Sequence, residues 1–155
     1  MRARSLILFA LATAAIITVS PSFAASNHRF KATYRGQATG EANGSAASGS
    51  ATATGRGKLI GTSRLRASGQ GLLSGECVDF TGTVLLKGRP GAIRLALRGG
   101  HACAGTADGA SFSGRAKVTR GSAKFADARG TLSFKGTYDI RAHVVTISFS
   151  GRLTY

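Results

Sequence analysis

The sequence predicts an all-β fold: a small antiparallel β-barrel of about eight strands after an N-terminal signal peptide, with a two-sheet β-sandwich as the alternative. Two observations lead to this prediction. Apolar and polar residues alternate with a period of two over most of the chain, as in strands with one buried and one solvated face. No stretch after the N-terminal segment shows the stripe of an amphipathic helix.

Residues 1–24 have the pattern of a signal peptide that is removed on export. Arg2 and Arg4 supply positive charge, an apolar run covers 6–19, and small residues precede the predicted cleavage point. The apolar run is shorter than the roughly 20 residues of a spanning helix, which favours cleavage after Ala24 over a retained membrane anchor. We therefore expect a secreted or periplasmic protein.

The mature chain divides into an N-terminal part, residues 25–57, and a main barrel body, residues 58–155. The first part begins with a strand in which Phe30 and Tyr34 share one face. From 36 to 57 almost every residue is Gly, Ala, Ser or Thr. This composition indicates either a flexible loop or a weak edge strand.

The main body alternates more clearly. Strands are predicted at 58–67, 78–86, 93–98, 112–118, 132–138 and 145–155. A turn is expected around Pro90, because proline and the glycine after it suit the two central positions of a tight turn. The residues assigned to the barrel interior are Phe80, Val84, Leu95, Phe112, Phe134, Tyr138, Ile147 and Phe149.

A short phrase, Phe-x-Gly-x-apolar, recurs inside these strands and begins at Phe80, Phe112, Phe134 and Phe149. The spacings are unequal, which excludes a solenoid repeat. Glycine weakens a strand unless it makes a bulge, a bend or a close approach. On the apolar face beside an aromatic ring it lets a sheet coil, which favours a small closed barrel.

Cys77 and Cys103 lie equally far from Pro90 and are the two cysteines of the chain. In an exported protein we expect them to form a cross-strand disulfide worth about 3.5 kcal/mol of chain entropy. The alternation of apolar residues around Pro90 predicts a strand register that differs by one residue from the register of this pairing. A single bulge at Gly82 would reconcile the two registers. A redox or metal pair is the alternative, for which His101 is the supporting residue.

The chain is strongly basic, with 21 Lys and Arg against 6 Asp and Glu and a formal net charge of +15. Exposed strand faces are expected to carry Arg94, Arg98, Arg115, Lys117, Lys135 and Arg152. Such a field attracts anionic envelope polymers or lipid headgroups. Because no aromatic residues are interleaved with these charges, specific nucleic-acid binding is not expected.

The stretch from Gly121 to Tyr138, GSAKFADARGTLSFKGTY, resembles bacterial secreted proteins with an allene oxide cyclase-like or dirigent-like barrel. Those families often have a Gly-x-Gly-x-Phe-x-x-Ala-x-Gly loop between two strands, and here Ala123 replaces the second glycine. The resemblance implies an eight-stranded barrel with a central cavity and transfers no catalytic residue. Independently of it, Phe125 is expected to be an apolar plug under a loop hinged at Gly121 and Gly130.

The sequence contains no nucleophile elbow, phosphate loop or zinc spacing. We therefore predict no catalytic residue, no metal site and no cofactor. His28, His101 and His143 lie near predicted strand ends and are expected to be solvated. Glu76 and Asp79 are expected to neutralise nearby arginines rather than to act as an acid pair.

These observations predict an exported, non-catalytic barrel that binds a small apolar ligand or serves a structural role in the envelope or medium. An eight-stranded barrel is just wide enough to be filled by side chains or to hold one small ligand. Three alternatives remain: a basic surface that binds anionic polymers or headgroups, a barrel isomerase or cyclase, and an outer-membrane barrel. The last rests on the alternation of 145–155 up to a terminal aromatic residue. The oligomeric state is left open.

Overall fold

The computed structural model describes residues 26–105 and 109–155, so the predicted signal peptide and its cleavage point after Ala24 lie outside the described residues. The chain forms a closed barrel of eight antiparallel strands, in which each strand pairs with the next and β8 closes onto β1. The strands are β1 (Asn27–Asn43), β2 (Ala46–Gly57), β3 (Gly61–Ser74), β4 (Cys77–Gly88), β5 (Gly91–Ala104), β6 (Gly109–Gly121), β7 (Thr131–Asp139) and β8 (Val144–Thr154). This confirms the predicted barrel and excludes the sandwich.

The hairpins give the barrel two distinct ends. The connections after β2, β4 and β6 lie at one end, together with the start of β1 and the end of β8; we call this the plugged end. The last residues of β1, β3, β5 and β7 and the first residues of β2, β4, β6 and β8 lie at the other end, which we call the open end. No helix among the described residues is long and apolar enough to cross a membrane.

The stretch 36–57 is neither a flexible loop nor an edge strand. It forms the second half of β1 and all of β2, paired with each other over their shared length, and both strands belong to the same barrel as residues 58–155. Its inward positions carry Gly or Ala and most of its outward positions carry polar residues such as Ser and Thr, so the period of two persists with little contrast in hydropathy. A closed barrel leaves no edge for a weak strand to occupy.

A β-bulge resolves the mismatch of register around the cysteines. Phe80 pairs with Gly100 and Gly82 pairs with Leu97, so β5 has one residue more than β4 over this step. The bulge therefore lies beside Gly82, with the extra residue on the partner strand. Gly99 has a φ of 56°, as expected of a glycine at such a bulge.

A packed core fills the plugged end. The largest of its fully buried side chains are Tyr34, Phe30, Phe125, Ile60, Leu65, Leu86, Ile93, Leu95, Leu132 and Leu153. Phe125 lies in a single 3-10 turn, Ala123–Phe125, of the loop between β6 and β7, and its ring meets that of Tyr155 at 5.3 Å. Gly121 has no side chain to obstruct this loop, since a Cβ there would overlap the backbone of Phe125. Phe125 therefore closes this end of the barrel.

The faces of the barrel are apolar inside and polar outside. Along β7, for example, Leu132 and Phe134 are buried whereas Ser133 and Lys135 are exposed. Outer-membrane barrels have the opposite arrangement, with an apolar band facing outwards. The strands have 9 to 17 residues and are longer than the sequence suggested, but the polar exterior argues against the outer-membrane alternative.

Candidate functional site: an apolar cavity and an exposed cysteine–histidine–aspartate cluster

A cavity of about 290 Å³ occupies the open half of the barrel, above the packed core. Its walls differ in the size of their side chains. One wall, on β4 to β8, is formed by large residues, including Phe80, Phe112, Phe134, Tyr138, Ile147 and Phe149. The other, on β1 to β3, is formed by inward residues that are all Gly or Ala, namely Ala38, Gly40, Ala47, Gly49, Ala51, Ala67, Gly69 and Gly71.

The small wall explains why the barrel is hollow here. A side chain that ends at Cβ does not reach the middle of an eight-stranded barrel, whereas larger side chains do. Ala51, for example, pairs with Ala38 on one side and with Ala67 on the other, so three neighbouring strands present only methyl groups. The Gly- and Ala-rich stretch 36–57, together with β3, therefore creates the space.

The large wall is built from phenylalanine rings packed over glycines. The ring of Phe134 lies 6.4 Å from that of Phe112 and 6.2 Å from that of Phe149, measured between centroids. A Cβ at Gly136 would overlap the ring of Phe112, and a Cβ at Gly114 would overlap that of Phe134. The glycine of one Phe-x-Gly phrase thus makes room for the ring of the neighbouring strand.

The structure places all of the predicted interior residues on the inner face. Val84, Leu95, Phe134, Ile147 and Phe149 are buried in the core. Phe80, Phe112 and Tyr138 are partly buried and pack against that core from the cavity side. Leu95 belongs to the packed half, and the other seven line the cavity.

Tyr138 brings a polar group to this otherwise apolar wall. Its hydroxyl lies 3.0 Å from Nδ1 of His143 and 3.3 Å from the carbonyl oxygen of Ala38. His143 precedes β8 at the open end, so the hydroxyl links three elements near the mouth. This hydrogen-bonding role was not predicted, because nothing in the alternation of β7 shows what lies across β8.

A second constellation lies on the outer face at the open end. Cys77 and Cys103 stand directly opposite each other on β4 and β5 and form the predicted disulfide. Two residues further along the strands, Asp79 stands directly opposite His101. The four side chains share one face, because residues two apart on a strand point the same way.

This cluster is connected through both nitrogens of the imidazole. His101 Nδ1 lies 2.6 Å from Asp79 Oδ1, and Nε2 lies 3.1 Å from Sγ of Cys103. The side chains of His101 and Asp79 are 54% and 74% exposed. Asp79 therefore pairs with a histidine rather than an arginine, contrary to our expectation, because the register sets His101 directly opposite it.

The sulfurs and the imidazole of this cluster are spaced like the ligands of a metal site. The two sulfurs and one imidazole nitrogen lie within 4.8 Å of one another, as the ligands of a metal ion would. Metal ions bind thiolates, however, and both sulfurs are used by the disulfide. Of these three residues, the oxidised protein thus offers only the histidine as a ligand.

The predicted polyanion-binding residues are all exposed but do not form one patch. Arg98 stands directly opposite Arg115 on β5 and β6, with Arg94 and Lys117 on the same two strands. Arg152 lies elsewhere, paired in register with Arg29, and Lys135 lies on β7. The side chains of the predicted set have no carboxylate within 4 Å among the residues that the structure describes.

Comparison with known proteins gives no match: neither a protein-family model, nor a curated protein, nor a solved structure is significantly similar to this chain. Any function must therefore be argued from the geometry above.

Proposed function

We propose that this protein is an exported, non-catalytic carrier that holds one small apolar molecule in the open half of its barrel. The observation that supports the proposal is the lining of the cavity. Phenylalanines form one wall and glycine and alanine the other, with the Tyr138 hydroxyl near the mouth. Ligand sites are typically concave and mostly apolar, with a few placed polar groups.

The volume of the cavity limits the size of the ligand. About 290 Å³ lies at the lower end of the range of roughly 300–1,000 Å³ found for ligand pockets. It is roughly twice the engineered 150 Å³ cavity that accepts benzene. A neutral compound of about two fused rings, or a short branched hydrocarbon with one polar group, suits this space.

Export is the part of the proposal that rests on the sequence. Residues 1–24 have the signal-peptide pattern, and the Cys77–Cys103 disulfide is typical of oxidising compartments. The resemblance of residues 121–138 to allene oxide cyclase-like and dirigent-like barrels implies a barrel with a cavity. Membership of that family stays a prediction.

The test is titration with a neutral fluorescent probe of two fused rings, 1-aminonaphthalene, because an anionic dye would also bind the basic exterior. We expect saturable 1:1 binding with enhanced fluorescence. Ala51→Leu extends a side chain into the cavity and should weaken binding at least about tenfold. The matched control is Thr52→Leu, which adds similar bulk to the outer face of the same strand. Equal binding by the two variants, or no binding by the wild type, would refute the proposal.

A second function is favoured by one observation on the exterior. Arg98 stands opposite Arg115, and Arg94 stands opposite Arg120. Like charges directly opposite each other destabilise a sheet, and a bound polyanion would relieve that repulsion. We propose that the outer face of β5 and β6 binds anionic envelope polymers or lipid headgroups.

Vesicles containing phosphatidylglycerol test this second function. We expect salt-sensitive binding that falls in Arg98→Ala/Arg115→Ala more than in Arg29→Ala/Arg152→Ala, which removes the same charge elsewhere. Equal losses would show that only the total charge matters.

A further inference from the structure

We propose that the Cys77–Cys103 disulfide is redox-active, oxidising low-molecular-weight thiols, with Cys103 as the leaving sulfur and His101 as its proton donor. The carrier function does not include this activity, and its site lies on the outer face of β4 and β5 rather than in the cavity. The observation behind it is the chain of contacts from Asp79 Oδ1 through the imidazole to Sγ of Cys103.

The hydrogen bonds define the direction of the chemistry. A disulfide sulfur carries no hydrogen, so in the contact between Nε2 and Sγ of Cys103 only the imidazole can donate. A carboxylate likewise only accepts, so Asp79 receives a hydrogen bond from Nδ1. The imidazolium form donates in both directions, and it leaves one of the two sulfurs beside a proton.

This asymmetry distinguishes the two cysteines. His101 is on the same strand as Cys103 and contacts its sulfur, and among the described residues no comparable group contacts the sulfur of Cys77. A disulfide opens faster when the leaving sulfur is stabilised as a thiolate, and a neighbouring imidazolium does this. An incoming thiolate should therefore attack Cys77 and displace Cys103.

The reaction balances over two steps. In the first, a thiolate R–S⁻ bonds to Sγ of Cys77, the Sγ–Sγ bond breaks, and its electron pair goes to Cys103, which takes the proton from Nε2. In the second, another thiolate attacks the sulfur of R in the mixed disulfide, giving R–S–S–R and releasing Cys77 as a thiolate. Two thiolates are oxidised by two electrons to R–S–S–R, and the protein disulfide becomes a dithiol once the Cys77 thiolate takes a proton from the solvent.

The surroundings suit a small substrate. Cys77 is the first residue of β4, directly after the exposed turn that ends at Glu76, and Cys103 is next to the last residue of β5. Both cysteines are half-buried on the outer face of β4 and β5. A compact thiol can reach such a bond more easily than a cysteine held within a folded polypeptide.

The first experiment measures the rate at which the oxidised protein is reduced by excess reduced glutathione. We expect His101→Gln to slow reduction about tenfold or more, as loss of a general acid does. His28→Gln is the matched control, because His28 lies at the plugged end and contacts Tyr155 instead. Equal melting temperatures of the oxidised variants would show that the fold is retained. Reduction of His101→Gln at the wild-type rate would overturn the proposal.

The second experiment compares the two thiols within one molecule. The reduced protein is briefly treated with iodoacetamide, and the label on each cysteine is quantified by mass spectrometry. We expect Cys103 to react at least about fivefold faster than Cys77 in the wild type. The two should react equally in His101→Gln, and equally in urea. Equal labelling of the native wild-type protein would mean that the disulfide only joins two strands.

Asp79 is a positioning residue, since it contacts the imidazole and not the sulfur. Asp79→Asn should lower the labelling ratio part-way, and Asp79→Glu should restore it, because a carboxylate opposite His101 is what orients the ring. Failure of Glu to restore the ratio would remove Asp79 from the mechanism.

Discussion

The two halves of the barrel are built on the same eight strands and differ in the size of the side chains at their inward positions. In the plugged half these positions hold fully buried leucines, isoleucines and phenylalanines, closed off by Phe125. In the open half, the inward residues of β1 to β3 that line the cavity are all glycine or alanine, and space remains in front of them. Barrel geometry is therefore common to both halves, and the volume of the inward side chains alone decides which half is filled.

The comparison also shows how the hollow half stays ordered. Its phenylalanines pack on one another and over glycines of adjacent strands, and the disulfide joins β4 to β5 on its outer face. These contacts support one wall without filling the space in front of it. The plugged half is held instead by mutual packing across the barrel. Four predictions test this difference, from the largest expected effect to the smallest.

Truncating one phenylalanine in each half should give unequal losses. Phe125→Ala removes a fully buried ring and should lower the free energy of unfolding by about 3–5 kcal/mol. Phe112→Ala removes a partly buried ring beside an existing cavity and should cost about 1–2 kcal/mol. Urea unfolding followed by far-ultraviolet circular dichroism measures both. Equal losses would show that the halves are packed alike.

Enlarging one alanine in each half should give effects of opposite sign. Ala32 is 2% exposed in the packed half, and Ala32→Leu should destabilise by about 1–3 kcal/mol through overpacking. Ala51→Leu fills the cavity and should leave stability unchanged or raise it by about 1 kcal/mol. The same urea titrations apply. A loss at Ala51 as large as that at Ala32 would mean that the cavity is not available to a side chain.

Tyr34 is buried in the packed half and should make stability depend on pH. Burial raises the pKa of its hydroxyl above 10.0, and the hydrogen bond to Ser63 at 2.9 Å opposes part of this rise. Because the folded-state pKa is raised, its stabilising effect is complete below pH 10 and is lost as the pH climbs through the folded-state value. Tyr34→Phe should cost about 1 kcal/mol at neutral pH. That difference should shrink above pH 10. Urea unfolding at several pH values measures it, and a difference that stays constant above pH 10 would contradict the prediction.

The loop that closes the plugged end contains one residue, Ala123, in an unfavourable backbone conformation. Ala123 has a φ of 51°, a conformation that disfavours residues with a Cβ. Ala123→Gly should therefore stabilise the protein by about 1 kcal/mol, although glycine usually destabilises. Ala126→Gly, in the same loop with a φ of −53°, is the control and should destabilise. A higher melting temperature for the first variant alone would confirm the role of the backbone conformation.

Most of the fold could be predicted because alternation records which face of a strand is buried. The inward assignment of Phe134 and Phe149 follows directly from it, and so does the pairing of the cysteines once a bulge is allowed. The interpretation failed at 36–57, because glycine and alanine facing serine and threonine give little contrast in hydropathy. The site was harder to foresee. The register that pairs the cysteines also sets Asp79 opposite His101, but the contact of the imidazole with Sγ of Cys103 depends on side-chain orientation, which alternation does not give.

By itself the sequence determined the period of the main-body strands, favoured a barrel over a sandwich, and indicated the disulfide and the plug at Phe125. These depend on local alternation, on turn residues and on a pair of cysteines placed symmetrically about Pro90. Only the tertiary structure decided that small residues of three strands face large ones across a common space, and that a histidine touches the disulfide. Both are relations between residues on different strands. The distances between such residues are set by barrel closure and strand register, and no single segment of the sequence specifies either.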